Sequence, residues 1–442
     1  LTIWQAPHIS QSSPLQPIDT HAIDAHVAIP GSKSLTNRYL VLAALSEAPV
    51  VIANPLQARD TELMRQALCA LGVSIEERVD GETVTWIVTP RPLHGARINC
   101  GLAGTVMRFI PPLVALANGE SVLDGDPQAR LRPMTPIVDA LRQLDVPVAT
   151  ASDALPLRIQ GAHRRHGGSV RIDASASSQF VSALLLAGAR FEGGIDIYHD
   201  GGALPSMPHI AMTIDLLRQA GVIVHEAPNH WRVEPGSIQQ ANVTVEPDLS
   251  NAGPFLAAAM VTHGCVHIPF WPVSTTQPGR EFVRIFELMG AQCVFHQQNS
   301  AACGVLELTG PEKIRGIDMN FHDVGELVPT VAAVACFADS PSALRDIGQL
   351  RGHETDRLAA LCTEISKLGC EAHIVGDDLV IEPANCHNKV MHAAHLESYA
   401  DHRMATFAAI VGLRVPGVSV NNIETTSKTL PNFVELWEGM LR

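Results

Sequence analysis

Six stretches of the chain set a short cluster of polar or small residues directly before a run that is apolar nearly all round. They are SKSLTNRYLVLAALSEA, GLAGTVMRFIPPLVALANG, ASSQFVSALLLAGA, LSNAGPFLAAAMVTHG, VGELVPTVAAVACFA and ADHRMATFAAIVGL. Anchored on Ser34, Gly104, Ser178, Asn251, Glu326 and His402, they recur at intervals of 70, 74, 73, 75 and 76 residues. Self-similarity at a near-constant period marks a repeat architecture. A helix that is apolar on every face predicts burial on every face. Behind most of these runs comes a helix pattern with a distinct polar side, as in RDTELMRQALCALGV, PHIAMTIDLLRQAGV, GREFVRIFELMGA and HETDRLAALCTEISKLGC. Gly72, Gly221, Gly290 and Gly369 stand where such helices should stop. Alternating runs follow, VSIEERVDGETVTWIVT and CEAHIVGDDLVIEP, with turns expected at Asp80-Gly81 and Gly376-Asp377.

Each unit thus reads as buried helix, amphipathic helix, strands, which makes the chain α/β. Six units divide most simply into two lobes of three. Strand character in AHVAIPG, up to about Gly31, and in ANVTVEPDLS, near position 245, puts the chain crossings there. One lobe is expected over residues 32–248 and the other over 1–31 plus 249–442. Every polar cluster falls at the N-terminal end of a buried helix, where unpaired N–H groups and the positive pole of the macrodipole gather. If the buried helices of a lobe run parallel, their positive ends converge, and two lobes facing each other would enclose a cleft suited to polyanions.

Composition sharpens this reading. With 442 residues, 46% hydrophobic and 17% charged, the chain has enough material for two or three packed domains and little reason for disorder. The formal net charge of −14 argues against a nucleic-acid groove. Nine Cys with no CxxC pair fit a reducing, cytoplasmic setting better than a disulfide framework. The opening residues lack a basic segment and an apolar core, so no secretory leader is read there, and LVPTVAAVACFADSPSAL falls short of a membrane span. Lysine is scarce: Lys33, Lys313, Lys367, Lys389 and Lys428 are five of 31 basic residues. Two of them, Lys33 and Lys428, sit in Ser/Thr-rich clusters.

Lys33, Ser34 and Arg38 share the first cluster, with Ser34 and Arg38 on one helix face. The bland alternative is a capped helix with solvated charges. Gly104 would let a ligand approach the backbone, or would simply aid packing. Arg130 and Arg132 precede Pro133 at an expected helix entry. Ser177, Ser178 and Gln179 form a neutral donor set suited to phosphate oxygens, where capping alone needs a single Ser. Ser206 heads a further helix, and plain capping explains it equally well. Towards the C-terminus lie Glu326, the group Arg351, His353, Glu354, Asp356 and Arg357, the trio Asp401, His402 and Arg403, and Lys428. Ion-paired surface helices are the usual explanation for such charge, but Glu326 and His402 occupy the repeat position of Ser34 and Ser178. The histidines at 163 and 166 and those at 387, 392 and 395 invite a metal reading. They lie in connecting segments without carboxylate neighbours, so no metal is expected.

With these clusters assembled, the chain closely resembles the 3-phosphoshikimate 1-carboxyvinyltransferase (EPSP synthase) family. PGSKSLTNR, GLAGTVMRF, RLRPM, SASSQF, GHETDR, DHRMA and SKTLP occur in the family's order over nearly the whole chain, and LRGHETDRLAAL looks like its actinobacterial branch. The resemblance implies a two-lobed inside-out α/β barrel of six βαβαββ-type repeats, three per lobe, joined by a double crossing. It implies transfer of the enolpyruvyl group of phosphoenolpyruvate to the 5-hydroxyl of shikimate 3-phosphate, on the shikimate route to chorismate and the aromatic amino acids. No metal or organic cofactor, nucleic acid or membrane is involved, and a monomer is expected.

By the same resemblance, shikimate 3-phosphate is bound by Lys33, Ser34, Arg38, Ser177, Ser178, Gln179, Ser206, Glu326 and His353. Phosphoenolpyruvate is bound by Lys33, Gly104, Arg132, Gln179, Arg357, Arg403 and Lys428. Glu326, Glu354 and His402 are the catalytic set, with Glu326 as base for the hydroxyl and Glu354 as a second proton-transfer group. Gly104 implies sensitivity to glyphosate, with Phe109 standing where many relatives have Pro. The related UDP-N-acetylglucosamine enolpyruvyl transferases open on GAKN and carry a reactive Cys in the loop matching residues 124–134. Here the opening is GSKS and that loop has no Cys. A non-catalytic anion-binding protein on the same scaffold is the other alternative, and retention of Glu326, Glu354, Arg357 and Arg403 speaks against it.

Many members have Asp at the position of Glu326 and Lys at that of His353. Imidazole titrates near neutrality where an ammonium does not. The pH dependence of kcat/KM is therefore expected to differ between the wild type and His353→Lys, and superimposable log(kcat/KM)–pH profiles would refute the idea.

Overall fold

The computed structural model describes residues 2–9, 23–81, 83–297 and 302–442. The chain divides into two compact lobes, one formed by Pro30–Glu246 and the other by Pro247–Arg442 with the described part of Leu1–Ile29. In the first lobe the helices are α1 (Lys33–Leu45), α2 (Arg59–Ala70), α3 (Gly104–Ala115), α4 (Thr135–Gln143), α5 (Gln179–Gly188) and α6 (Met207–Gln219). In the second they are α7 (Leu249–Thr262), α8 (Glu281–Leu288), α9 (Val328–Ala335), α10 (Arg357–Lys367), α11 (His402–Gly412) and α12 (Phe433–Met440).

The odd-numbered helices are the apolar runs. Every residue of α3, α9 and α11 is buried, and α1 is buried from Leu35 to its end. Absence of a polar face leaves them no position but the centre of a lobe. Small residues let neighbours close in: a Cβ added at Gly253 of α7 would lie 2.3 Å from the Phe282 ring. The even-numbered helices carry their polar side outward and end early. Gly72, Gly221, Gly290 and Gly369 follow α2, α6, α8 and α10 with φ of +108°, +81°, +112° and +90°, which glycine adopts without Cβ strain.

The strands obey one plan. In each lobe a short strand pairs in parallel with the strand that follows a buried helix, and an antiparallel hairpin completes the sheet. Arg97–Asn99, Gly119–Asp124, Leu157–Gly161 and Val148–Ala149 show it, as do Gly168–Ile172, Ile195–His199, His230–Val233 and Val224–Ala227. The sheet after α1 takes its parallel strand from the far end of the lobe, where Val243–Thr244 runs beside Val50–Ala53. The sheet after α7 takes Asp24–His26, which pairs with Cys265–His267. The first lobe is thus closed by a strand from the far end of its own stretch of sequence, and the second by a strand from its separate N-terminal segment.

The sixth repeat departs from the plan. His395–Leu396 pairs with Ser419–Asn421, but the antiparallel partner is Ile3–Gln5, and no hairpin of its own follows. Two local expectations also change. Asp80 pairs with Thr83, so the first hairpin turns after Asp80 and not at Asp80-Gly81. Helix α4 starts at Thr135, and Arg130 belongs instead to a 3₁₀ turn over Ala129–Leu131. Among the described residues no helix is long and apolar enough to cross a membrane.

The core of the second lobe includes a cluster of Phe255, Phe433 and Trp437, with ring centroids 5.3–6.0 Å apart. Phe255→Ala, which opens a cavity at a residue with no exposed surface, is expected to cost about 3–5 kcal/mol. A urea denaturation series reads this as a lowered midpoint, while Leu288→Ala, at a half-exposed position, should move it little.

Candidate active site

In the lobe of Pro30–Glu246 the first turns of three buried helices lie side by side. Ser32 caps α1 by accepting from the Leu35 N–H at 3.5 Å, which leaves Lys33 and Ser34 unneeded for capping. Lys33 Nζ stands 3.8 Å from the buried carboxylate of Asp60 at the start of α2. Asn37 Nδ2 donates to Thr105 Oγ1 of α3 at 2.7 Å. Arg38 is buried and faces inward. Its guanidinium donates to Thr213 Oγ1 (2.8 Å), Ser182 Oγ (3.4 Å) and the carbonyls of His209 (3.1 Å) and Ser34 (3.0 Å), and lies 5.3 Å from the Phe109 ring centroid. One side chain thereby ties α1 to α5 and α6.

Gly104, the first residue of α3, is ringed by three side chains. A Cβ there would lie 3.0 Å from Arg108 Nη1, 3.1 Å from Gln179 Oε1 and 3.4 Å from Arg132 Nη1. Gln179 Oε1 and Arg132 Nε are buried without a hydrogen-bond partner. Buried polar atoms left unmatched are costly, on the order of 1–3 kcal/mol each, so this ring has the character of a site awaiting an anion and a hydroxyl. Ser177 accepts from the Gln179 N–H at 3.3 Å. Ser178 takes the N-cap position of α5 and Ser206 that of α6, yet neither side chain makes a capping bond. Ser206 also holds a left-handed backbone, φ +56°, uncommon for a residue with a Cβ. The capping explanation for Ser206 is therefore set aside. Arg130 points elsewhere, into a two-bonded ion pair with Asp124 that holds this aspartate below the usual carboxylate range.

In the second lobe the same convergence carries carboxylates. Asp248 caps α7 through the Asn251 N–H at 3.0 Å. Ser250 Oγ donates to Glu326 Oε1 at 3.1 Å, and Arg403 Nη1 donates to the Ser250 carbonyl at 3.0 Å. These contacts join the starts of α7 and α11 to the turn that leads into α9. Asp401 caps α11 through the Arg403 N–H at 2.8 Å, and the same carboxylate grips Arg357 Nε at 2.8 Å and Nη2 at 3.2 Å. Arg357 Nη2 reaches Glu354 Oε2 at 2.9 Å, while the other oxygen of Glu354 takes the Lys428 ammonium. His353 Nδ1 stands 3.5 Å from Arg357 Nη1. His402, buried, lines a small pocket with Asn251, Arg403, Thr406 and Thr429.

The result is an alternating line of charge, Lys428–Glu354–Arg357–Asp401, almost wholly out of solvent. Burial alone would weaken the Arg357 cation, but Asp401 and Glu354 outweigh it and hold its pKa above the ordinary value. Arg403 is pushed the other way: burial lowers its pKa, with Arg357 adding to the effect and Glu326 opposing it. A cation in that position gains from any anion brought to it.

Sequence reasoning passed over Arg108, Asp60 and Ser250. Arg108 was legible as the residue one turn after Gly104 on the same face. Asp60 and Ser250 carried no signal, because their partners, Lys33 on the preceding helix and Glu326 in the turn before α9, meet them only in the fold. The histidine-rich segments also need correction. His387 does have carboxylate neighbours, Glu382 at 2.9 Å and Glu371 at 3.7 Å, and His166 stands 3.3 Å from Glu192. Glu382 stands only five residues before His387 in sequence, whereas Glu371 and Glu192 reach their histidines through the fold.

Residues 18–437 match the family model described as EPSP synthase (3-phosphoshikimate 1-carboxyvinyltransferase). A 3-phosphoshikimate 1-carboxyvinyltransferase from Kocuria rhizophila is 49% identical, covering 99% of this chain and 96% of its own length. Among solved structures, an EPSP synthase from Acinetobacter baumannii superposes with a TM-score of 0.78 at 24% identity, covering 95% of this chain and 96% of that one. The enolpyruvyl transferase NikO from Streptomyces tendae does so with 0.70 at 18% identity, covering 95% of each. At these identities the two structures speak for the fold.

Asp401→Asn removes the anion from a wholly buried partner of Arg357. Breaking such a pair costs about 3–5 kcal/mol, so the variant is expected to unfold at distinctly lower urea concentration than the wild type. An unchanged midpoint would show that Glu354 alone satisfies the guanidinium.

Proposed function

The chain belongs to the EPSP synthase family, and from that premise we propose that it transfers the enolpyruvyl group of phosphoenolpyruvate to the 5-hydroxyl of shikimate 3-phosphate, releasing inorganic phosphate. The observation that carries the reading is the placement of Glu354 between Lys428 and Arg357. Both cations are among the residues expected to bind phosphoenolpyruvate. An arriving phosphate competes with Glu354 for them, and the carboxylate is loosened when the substrate needs a proton carrier.

The chemistry divides into two steps. In addition, the methylene carbon of phosphoenolpyruvate gains a proton, the 5-hydroxyl oxygen bonds to the phosphate-bearing carbon, and the hydroxyl proton leaves. In elimination, the methyl group returns a proton, the carbon–carbon double bond re-forms and the C–O bond to phosphate breaks. Glu326 accepts the hydroxyl proton, and Ser250 fixes one of its oxygens. Glu354 carries the proton to and from carbon. His402 sits beside Asp401 and Arg403 as a neighbour of the reacting groups, and His353 lies on the Arg357 side. Arg357, Arg403 and Lys428 meet the charge that develops on phosphate and carboxylate.

The lobe of Pro30–Glu246 supplies recognition. Ser177, Ser178 and Ser206 take the shikimate phosphate, Ser34 and Arg38 the carboxylate and ring side. Lys33, Gly104, Arg132 and Gln179 complete the phosphoenolpyruvate contacts. Two features support this division: Ser178 and Ser206 cap nothing, and Gln179 Oε1 and Arg132 Nε are unmatched in the protein alone. For Arg38 the inward bonds already described make it equally a brace for the helix ends that carry those serines.

Mixing the purified protein with both substrates is expected to release phosphate. Glu354→Gln should lower kcat by about 10²–10⁴-fold, the usual worth of a positioned acid–base group. Phosphate release that requires UDP-N-acetylglucosamine in place of shikimate 3-phosphate would move the chain to the sister activity, and no release with either acceptor would leave only an anion-binding scaffold.

A further inference from the structure

The sheet that closes the second lobe bears a second chemical cluster, well removed from the helix starts. The strand Cys265–Pro272 follows α7, a helix of 14 residues whose catalytic end is Ser250. At 1.5 Å per residue, Cys265 lies about 20 Å from that end. Cys265 and His267 alternate on the same face of this strand, and the parallel neighbour places Asp24 opposite Cys265 and His26 opposite His267. On the other side Thr309 stands opposite Cys265 and Glu307 opposite His267.

We propose that Asp24, Cys265 and His267 form a site for a borderline divalent metal ion, zinc being the best fit. His267 Nε2 lies 3.3 Å from Asp24 Oδ1 and 3.5 Å from Cys265 Sγ, and the three ligand atoms fall within 4.8 Å of one another. Around tetrahedral zinc, with bonds of about 2.0 Å to nitrogen or oxygen and about 2.3 Å to sulfur, the N···O edge is about 3.3 Å and the N···S edge about 3.5 Å. Two of the three edges thus already have the required length. A carboxylate, an imidazole and a thiol are also the donor set this ion prefers over magnesium or calcium.

The surroundings supply what such ligands need. His267 Nδ1 faces Glu307 at 3.8 Å, the carboxylate–histidine arrangement that orients a metal-binding imidazole. Glu307 is itself held by His296 at 2.8 Å, and the His26 ring stacks on His267 with centroids 4.3 Å apart. Thr309 Oγ1 donates to Cys265 Sγ at 3.7 Å.

The other group of similar composition, Glu371, Glu382 and His387, differs at the decisive point. There the Lys389 ammonium already sits 3.0 Å from Glu371 and fills the place of a cation. The proposed ion has a structural task. Asp24–His26 reaches its sheet through three paired positions only, and a bond from Asp24 to a metal shared with Cys265 and His267 would pin it there.

Cobalt(II) is the probe, titrated into the full chain after treatment with a chelator and a thiol reductant. One equivalent is expected to give a thiolate-to-metal charge-transfer band, displaced by zinc. The band should vanish in Cys265→Ser, and the cobalt affinity should fall at least about tenfold in Asp24→Asn and His267→Gln. Cys69→Ser and Cys386→Ser, at exposed thiols, should leave it unchanged. Asp24 is largely exposed, so its substitution is expected to leave the fold intact, and circular dichroism checks each protein before titration. Absence of the band, its survival in Cys265→Ser, or undiminished affinity in Asp24→Asn overturns the assignment.

Discussion

A helix with no polar face has only its ends to offer chemically, and six such helices govern this molecule. Their first N–H groups have no partner within the helix, and the macrodipole adds partial positive charge there. When three of these ends meet in one lobe they repel each other unless anions or caps intervene. The two lobes answer this requirement differently. In the lobe of Pro30–Glu246 the N-cap residues of α1, α3 and α5 are Ser32, Ala103 and Ser178, and no acidic residue occupies a first turn. In the other lobe Asp248 and Asp401 cap α7 and α11, and Glu326 sits just before α9. One lobe leaves its positive ends for anions brought by substrate, while the other compensates them with its own carboxylates. Carboxylates suit proton transfer and weaken the binding of a further anion, so the proposed division between acid–base chemistry and shikimate-phosphate recognition accords with the caps.

Holding the ends together takes polar contacts inside an apolar core, and these fall into two kinds. Asn37–Thr105, Ser250–Glu326 and the fork of Arg357 on Asp401 join elements of the protein to each other. The ring around Gly104 is of the other kind, because Gln179 Oε1 and Arg132 Nε find nothing to bond. A core normally satisfies its buried polar atoms. Exceptions gathered at one helix start, where the backbone is also unmatched, mark a place shaped for something outside the chain.

The sequence made the repeats legible because burial on every face writes itself as an unbroken apolar run, and their near-constant spacing needs no knowledge of contacts. The terminal glycines were equally plain, since only a backbone in the left-handed region asks for them. What the sequence concealed was direction. Ser34 and Arg38 share a face, yet Arg38 turns inward to Thr213, a partner 175 residues away. Arg130 and Arg132 look equivalent on paper, and a 3₁₀ turn sends one to Asp124 and the other to Gly104. The sixth repeat borrows Ile3–Gln5 in place of its own hairpin, which no local pattern could announce. On sequence alone a plain cap explains Ser206 as well as a ligand contact does, and only the structure withholds the capping bond.

The chemistry of the cations explains a compositional bias that net charge does not. Surface arginines are matched locally: Arg345 with Asp318 and Asp378, Arg232 with Asp196 and Glu234. A formal total of −14 therefore says little about the helix ends. Arginine supplies 26 of the 31 basic residues, and Arg38 shows why. Its fork reaches two hydroxyls on different helices and two backbone carbonyls at once. An ammonium, with its donors on a single atom, could not span those four acceptors. Lysine serves where a point charge is enough: Lys33 stands near Asp60, and Lys428 lies on Glu354. A flexible ammonium turns from a carboxylate to an arriving phosphate more readily than a guanidinium fixed by several acceptors. Two of the five lysines thus stand where the proposed reaction needs charge to move.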